Sequence, residues 1–241
     1  MKKYLVVLSF LSFQLGFSQE IAVVDSAAID KLDKMGAYIG TLNSCKFFLE
    51  RSVDENDLYG LQKHYYTDEI AMFGPDKMMV KSRGTLHNKD YYYNGKNFVY
   101  YSAGENNYVI LPAPDNIISM IDSIHTHFGV RFPAADVFYP SLTDDLIADF
   151  PVILYLGEDK IAGKECSQIL ASNDKMNVQL WIENKEKPLP IKLVIIHKDK
   201  QQNQYEATFT KWEINPKVDN AMFDFVPPEN ARKISIMSKS K

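Results

Sequence analysis

Cysteine is scarce in this chain: the 241 residues hold two, Cys45 and Cys166. Neither has a neighbouring Cys or His at the spacing of a metal or redox site. Cys45 also lies too far along the chain to stand at an export cleavage site and accept a lipid anchor. Long apolar runs are lacking too. The stretch Tyr4 to Phe13 falls short of the roughly 18 to 20 residues needed to span a bilayer, and no later window is longer and equally apolar. Positive charge is not in excess: 27 Lys and Arg stand against 31 Asp and Glu, a net of −4. A nucleic-acid binder would carry the opposite balance. Catalytic motifs are absent as well, with no G-x-S-x-G elbow, no phosphate-binding glycine loop and no H-E-x-x-H. His125 and His127 stand two apart on a predicted helix, so their side chains diverge and share no metal. Asp54-Glu55-Asn56-Asp57 begins like a calcium loop but places Tyr59 at the sixth position, where glycine is required, and reads as a solvated turn. No metal, cofactor or nucleic acid is expected.

What is present begins with Lys2 and Lys3, the apolar stretch, and Gly16-Phe17-Ser18, a small-x-small pattern suited to signal peptidase. Residues 1–18 are therefore expected to be a secretory signal, and 19–241 a single soluble domain with no transmembrane segment. Losing the two signal lysines takes the formal net charge from −4 to −6. An exported chain meets conditions that permit a disulfide between Cys45 and Cys166, the alternative being two buried thiols. The basic C-terminus, Arg232, Lys233, Lys239 and Lys241, reads as a flexible, solvated tail, with contact to anionic lipid as the alternative.

Between these ends the periodicity alternates. Ile29, Leu32, Met35, Ile39 and Leu42 recur at intervals of three and four, predicting a helix from Asp25 to Leu42 with Asp25 or Ser26 as N-cap. Strand patterns follow at Cys45–Val53, Glu69–Phe73, Met78–His87, Tyr91–Tyr93, Phe98–Tyr101 and Tyr108–Leu111, with Asn94-Gly95 as a type I′ hairpin turn. Ile117, Ile121, Ile124 and Phe128 then share one helical stripe that ends at Gly129. Short helices are expected over Ala134–Tyr139 and Thr143–Asp149. Strands resume at Val152–Leu156, Ile161–Leu170, Val178–Ile182, Ile191–His197 and Tyr205–Ile214, and the chain closes with Phe223–Val226. In Tyr205 to Thr210 apolar and polar residues alternate, as a sheet with one wet face requires. The pattern is α+β: a strongly curved antiparallel sheet of about ten or eleven strands, covered by an N-terminal helix and a central helical insertion.

Five segments in order carry a family resemblance: YYYNGKNFVYYSAGENNYVILPAP from Tyr91, HFGVRFPAADVF from His127, GKECSQIL from Gly163, WIENKEKPLPIKLVI from Trp181 and FDFVPPENARKI from Phe223. They resemble the DUF2092 family of predicted periplasmic proteins, similar in fold to the outer-membrane lipoprotein carriers LolA and LolB. Gln168 stands where that family commonly has His. The resemblance implies a periplasmic half-open β-barrel whose helices lid an apolar cavity. Its lid candidates are Ile117, Ile121, Ile124 and Phe128; its wall candidates are Phe47, Leu49, Tyr91, Tyr93, Phe98, Tyr100 and Trp181. Core packing is the plainer meaning of the same residues, since a barrel of this size can be filled by its own side chains. The function implied is non-catalytic binding or carriage of a lipid or acylated protein. The alternatives are a filled barrel that docks another envelope protein, a glycan binder using the many tyrosines, and a hydrolytic enzyme.

Overall fold

The computed structural model describes residues 22–238. The expected signal segment, Lys239 and Lys241 lie outside those residues.

In chain order the elements are β1 (Val23–Val24), α1 (Ser26–Gly40), β2 (Ser44–Asp57), β3 (Gly60–Phe73), β4 (Lys77–Gly84), β5 (Asn88–Tyr93), β6 (Asn97–Ser102) and β7 (Asn107–Pro112). Next come α2 (Ile117–Phe128), a 3₁₀ turn (Ala135–Phe138) and α3 (Leu142–Asp149). The second strand run is β8 (Val152–Ile161), β9 (Lys164–Ser172), β10 (Met176–Glu183), β11 (Pro190–His197) and β12 (Gln204–Ile214). A 3₁₀ turn (Asn220–Phe223) and β13 (Arg232–Lys233) are the last elements among the described residues.

The thirteen strands among the described residues form one curved, unclosed sheet in the order β1-β8-β9-β10-β11-β12-β2-β3-β4-β5-β6-β7-β13. It consists of two antiparallel meanders, β2 to β7 and β8 to β12, joined where β12 pairs with β2. The outermost strands β1 and β13 pair in parallel with β8 and β7 and are two residues each. Such short edges leave little open backbone for another chain to extend.

The helices roof the concave face because their apolar stripes meet the inward residues of alternating strands. Ala28, Leu32 and Met35 of α1, and Met120, Ile121 and Ile124 of α2, join Phe47, Leu49, Ile70, Val80, Leu180 and Phe209 in one core. Asp25 caps α1 by accepting from the Ala27 N–H, Asn116 caps α2 by accepting from the Ser119 N–H, and Gly129 ends α2 at φ 71°. A bulge in β12 between Thr210 and Glu213 swings Trp212 inward, where it stacks on Phe47 at 4.4 Å between ring centroids.

Several expectations need correction. The strand total exceeds ten or eleven because of the two-residue edge strands, which carry no periodicity. β3 begins at Gly60 rather than Glu69, and the acidic cluster is no turn: β2 continues through Asp57, opposite Gly60, and the chain reverses at Leu58-Tyr59. The expected strand Ile161–Leu170 is broken by a turn at Ala162-Gly163, both at positive φ. At Asn94-Gly95 only Gly95 has positive φ; the Asn94 side chain instead accepts from the N–H groups of Lys96 and Asn97. Phe223 to Val226 is not a strand, and Arg232 and Lys233 are not a loose tail. The segment from Val218 to Phe225 straps the outer face, with Phe223 against Ala71 and Met79, and Phe225 among Tyr92, Tyr101 and Tyr108.

The two cysteines are free and buried. Cys45 on β2 joins the inner core, whereas Cys166 on β9 packs on the outer face with Trp181. Three strands stand between β9 and β2, so at roughly 4.8 Å per strand no bridge can form.

Candidate functional site

The concave interior is not filled by side chains. A cavity of about 720 Å³ opens between the sheet strands β9 to β11 and the roof formed by α1, α2 and α3. Its floor comes from inward-facing alternate residues: Ile169 and Ala171 of β9, Val178 and Leu180 of β10, Leu193 and Ile195 of β11. Its roof comes from Leu32, Ile121, Phe132, Leu142, Leu146 and Phe150. These walls are apolar, while Asp122, Asp145, Asp149 and Asp174 line it among the polar groups.

Helix α3 covers part of this cavity and is lightly anchored: none of its residues is fully buried, and Leu142 and Leu146 pack half-buried against the core. Hydrogen bonds hold it at both ends. Before it, Tyr139 donates its hydroxyl proton to Asp122 of α2 at 2.7 Å; after it, the Asn173 side-chain amide donates to the Asp149 carbonyl at 3.1 Å. Burial and the Asp122 carboxylate push the Tyr139 hydroxyl pKa well up, so it remains a donor in any physiological medium.

A second cavity, of about 750 Å³, adjoins the first and is more polar. Val130, Arg131, Phe132, Asp136, Leu193 and Ile195 line both. Tyr66, Tyr91, Tyr100 and Tyr205 surround the second cavity together with Arg51 and Lys89. Arg51 donates through Nε and Nη2 to Asp68, which is fully buried, and through Nη2 to Ser82 Oγ at 3.2 Å. Its guanidinium also lies 4.1 Å from the centre of the Tyr66 ring. Gly84 permits that ring position, because a Cβ there would stand 2.0 Å from a Tyr66 ring carbon. Burial raises the pKa of the Tyr91 and Tyr205 hydroxyls and lowers that of the Lys89 ammonium.

The residues singled out from the sequence fall in several places. Ile121 lines the apolar cavity, and Tyr91 and Tyr100 line the polar one. Leu49, Tyr93, Phe98 and Ile124 are sealed in the core. Phe47 borders only a void of about 20 Å³, Ile117 borders a surface hollow of about 290 Å³, and Phe128 packs half-buried against the core. Trp181 faces the other way, donating its indole N–H to Asp159 at 3.1 Å on the outer side of the sheet. The floor residues of β9 to β11 and the lid residues Leu142 and Leu146 were not singled out. Their alternation was visible, but which parity looks inward depends on pairing and on the bulge opposite Ile182, which turns Ile191 outward.

His125 and His127 each donate a ring N–H to a backbone carbonyl, of Val130 and Ser123 respectively. Among the described residues no three His, Cys, Asp or Glu side chains are grouped to hold a metal. No helix among them is long and apolar enough to cross a membrane.

These features define a class: an open, strongly curved antiparallel sheet whose helices roof a two-part interior cavity. The chain belongs to the DUF2092 family, described as predicted periplasmic protein, over residues 28–237. Its fold is similar to that of an uncharacterised conserved protein from Thermus thermophilus, with a TM-score of 0.52 at 12% identity over 86% of this chain and 98% of that one. LprF from Mycobacterium bovis gives 0.49 at 12% identity over 86% and 99%. A LolA superfamily protein from Nitrosomonas europaea gives 0.38 at 9% identity over 85% and 99%. At these identities the likeness is one of fold. No relative among curated proteins matches the chain.

Proposed function

We propose that this protein is a periplasmic binding or carrier protein that holds the apolar chain of a lipid or of an acylated protein, with no covalent step. The observation that carries this reading is the apolar cavity of about 720 Å³ under a helix that has no buried residue of its own. Its volume lies within the range of about 300 to 1,000 Å³ typical of small-molecule sites. Each methylene moved from water into such a site contributes about 0.8 kcal/mol. A twelve-carbon chain therefore gains about 10 kcal/mol gross, against an association cost of roughly 4 kcal/mol or more. Lifting α3 breaks the Tyr139–Asp122 and Asn173–Asp149 bonds and widens the mouth of the cavity for entry and release while α1 and α2 stay packed. The family description and the expected signal segment support a periplasmic location.

The test is native mass spectrometry of protein isolated from its own cell envelope, alongside Val178→Trp and Ile195→Trp, which fill the cavity from its floor. The expected result is a bound amphiphile near one equivalent in the wild type, lost in the folded variants. A folded wild-type protein that neither carries nor takes up any amphiphile rejects the carrier reading and favours a docking module.

A further inference from the structure

The polar cavity asks for a ligand of its own. Leu193 and Ile195, alternate residues on one face of β11, lie beneath both cavities, so a single molecule can lie along that floor with one end in each. The charges in the polar part divide into paired and unpaired groups. The Arg51 side chain is 15% exposed, and Lys89 is half-buried with no carboxylate within ion-pairing distance among the described residues. Of the carboxylates facing the same space, Glu55, Asp136 and Asp199 are exposed, and Asp54 is already paired with Lys63 at 2.6 Å. Asp68 is engaged by Arg51, whose Nη1 takes no part in that pairing. The Tyr205 hydroxyl adds a second, independent requirement: it is shut off from water and donates to no acceptor, because the backbone group that faces it, the Ala134 N–H, is itself a donor. A buried donor without an acceptor is unfavourable unless something else supplies one. An unpaired ammonium, a free guanidinium edge and an unpaired hydroxyl, with the buried carboxylates Asp68 and Asp54 already paired and the others exposed, suit an anionic oxygen-rich group; Asn203 Oδ1, an unpartnered acceptor on the same wall, is the exception.

We propose that the polar cavity receives the phosphate-bearing headgroup of an amphiphile whose chains occupy the apolar cavity, with Lys89, Arg51 and Tyr205 facing the phosphate oxygens. This rests on the lipid-binding reading and narrows it: the ligand is a whole phospholipid enclosed by the fold, rather than the acyl part of a protein left outside.

Dioctanoyl phosphatidate and dioctanoylglycerol have the same chains and differ only in the phosphate, so titration calorimetry with both isolates the headgroup. The wild type is expected to bind phosphatidate about tenfold more tightly. Lys89→Ala should remove most of that advantage and leave dioctanoylglycerol binding unchanged. Tyr205→Phe should lower phosphatidate affinity severalfold without loss of thermal stability, which a purely structural hydroxyl would not do. Arg51 is left alone, because its removal would strand the Asp68 charge. Equal affinity for the two lipids in the wild type, or equal loss of both in folded Lys89→Ala, overturns the headgroup site while chain binding stands. Binding of neither lipid overturns both readings. Glycerol 3-phosphate, which has the headgroup chemistry but no chains, should bind at least a hundredfold more weakly; affinity equal to that of phosphatidate would make this a free-phosphate site and reject the lipid assignment.

Discussion

Two buried groups dominate at the scale of single residues. Asp68 is fully buried and has its charge balanced by Arg51 across neighbouring strands. Removing one member of such a pair leaves the other stranded, at a cost of about 3 to 5 kcal/mol. Asp68→Ala is therefore expected to lower stability by that amount in urea unfolding, and a change below about 1 kcal/mol would contradict the assignment. Cys45 behaves differently. Burial pushes its thiol from 9.0 up to about 12, so between those values the folded chain keeps a proton that the unfolded chain releases. That contribution is complete below about pH 9 and is lost as pH rises toward 12. Cys45→Ala should flatten the alkaline fall in Tm over this window without abolishing it, because burial also pushes Tyr93 up to about 12. With both thiols free, reductant should leave the Tm of the wild type unchanged.

Among the α-helices, α3 is the least anchored, with no fully buried residue. Losing the Tyr139 hydroxyl removes a bond to a carboxylate worth about 1.5 to 3 kcal/mol. Tyr139→Phe should accelerate amide exchange in α3 and in the turn before it, with α1 and α2 unaffected. Equal acceleration in all three helices would show that the lid is part of the core. The outer strap depends on Phe223, which is 1% exposed, and Phe223→Ala should cost about 3 kcal/mol in urea unfolding without altering the lipid binding proposed for the opposite face. Elements with strong local signals were legible in the sequence: the stripe Ile117, Ile121, Ile124, the stop at Gly129, and the alternation from Tyr205 to Phe209. Elements defined by their partners were not. β13 exists because Arg232 and Lys233 run beside Asn107 and Tyr108, and the start of β3 reads as polar because only its pairing with the end of β2 makes it a strand. The candidate site was less legible than the fold. Apolar residues were found readily, but Leu49 and Phe98 seal the core while Val178 and Ile195 line a cavity. That difference lies in how far apart the layers stand, which no periodicity records.

The whole molecule depends on one seam. β2 and β12 alone join the two meanders within the sheet, and residues such as Arg51 and Ala207, paired across it, are far apart in sequence. Pairing of this range slows folding, because a long loop must close before its contacts contribute. In pulsed hydrogen exchange during refolding, the β5–β6 hairpin should gain protection well before β12, and β2 should be protected on the β12 side only with the last phase. The same seam bears on synthesis. A chain threaded from its N-terminus presents β2, 14 residues long, with its outer backbone edge unpaired until β12, which begins only at Gln204, has followed. For that interval it is a sticky half-molecule, and a cell that makes this protein has to keep such halves apart.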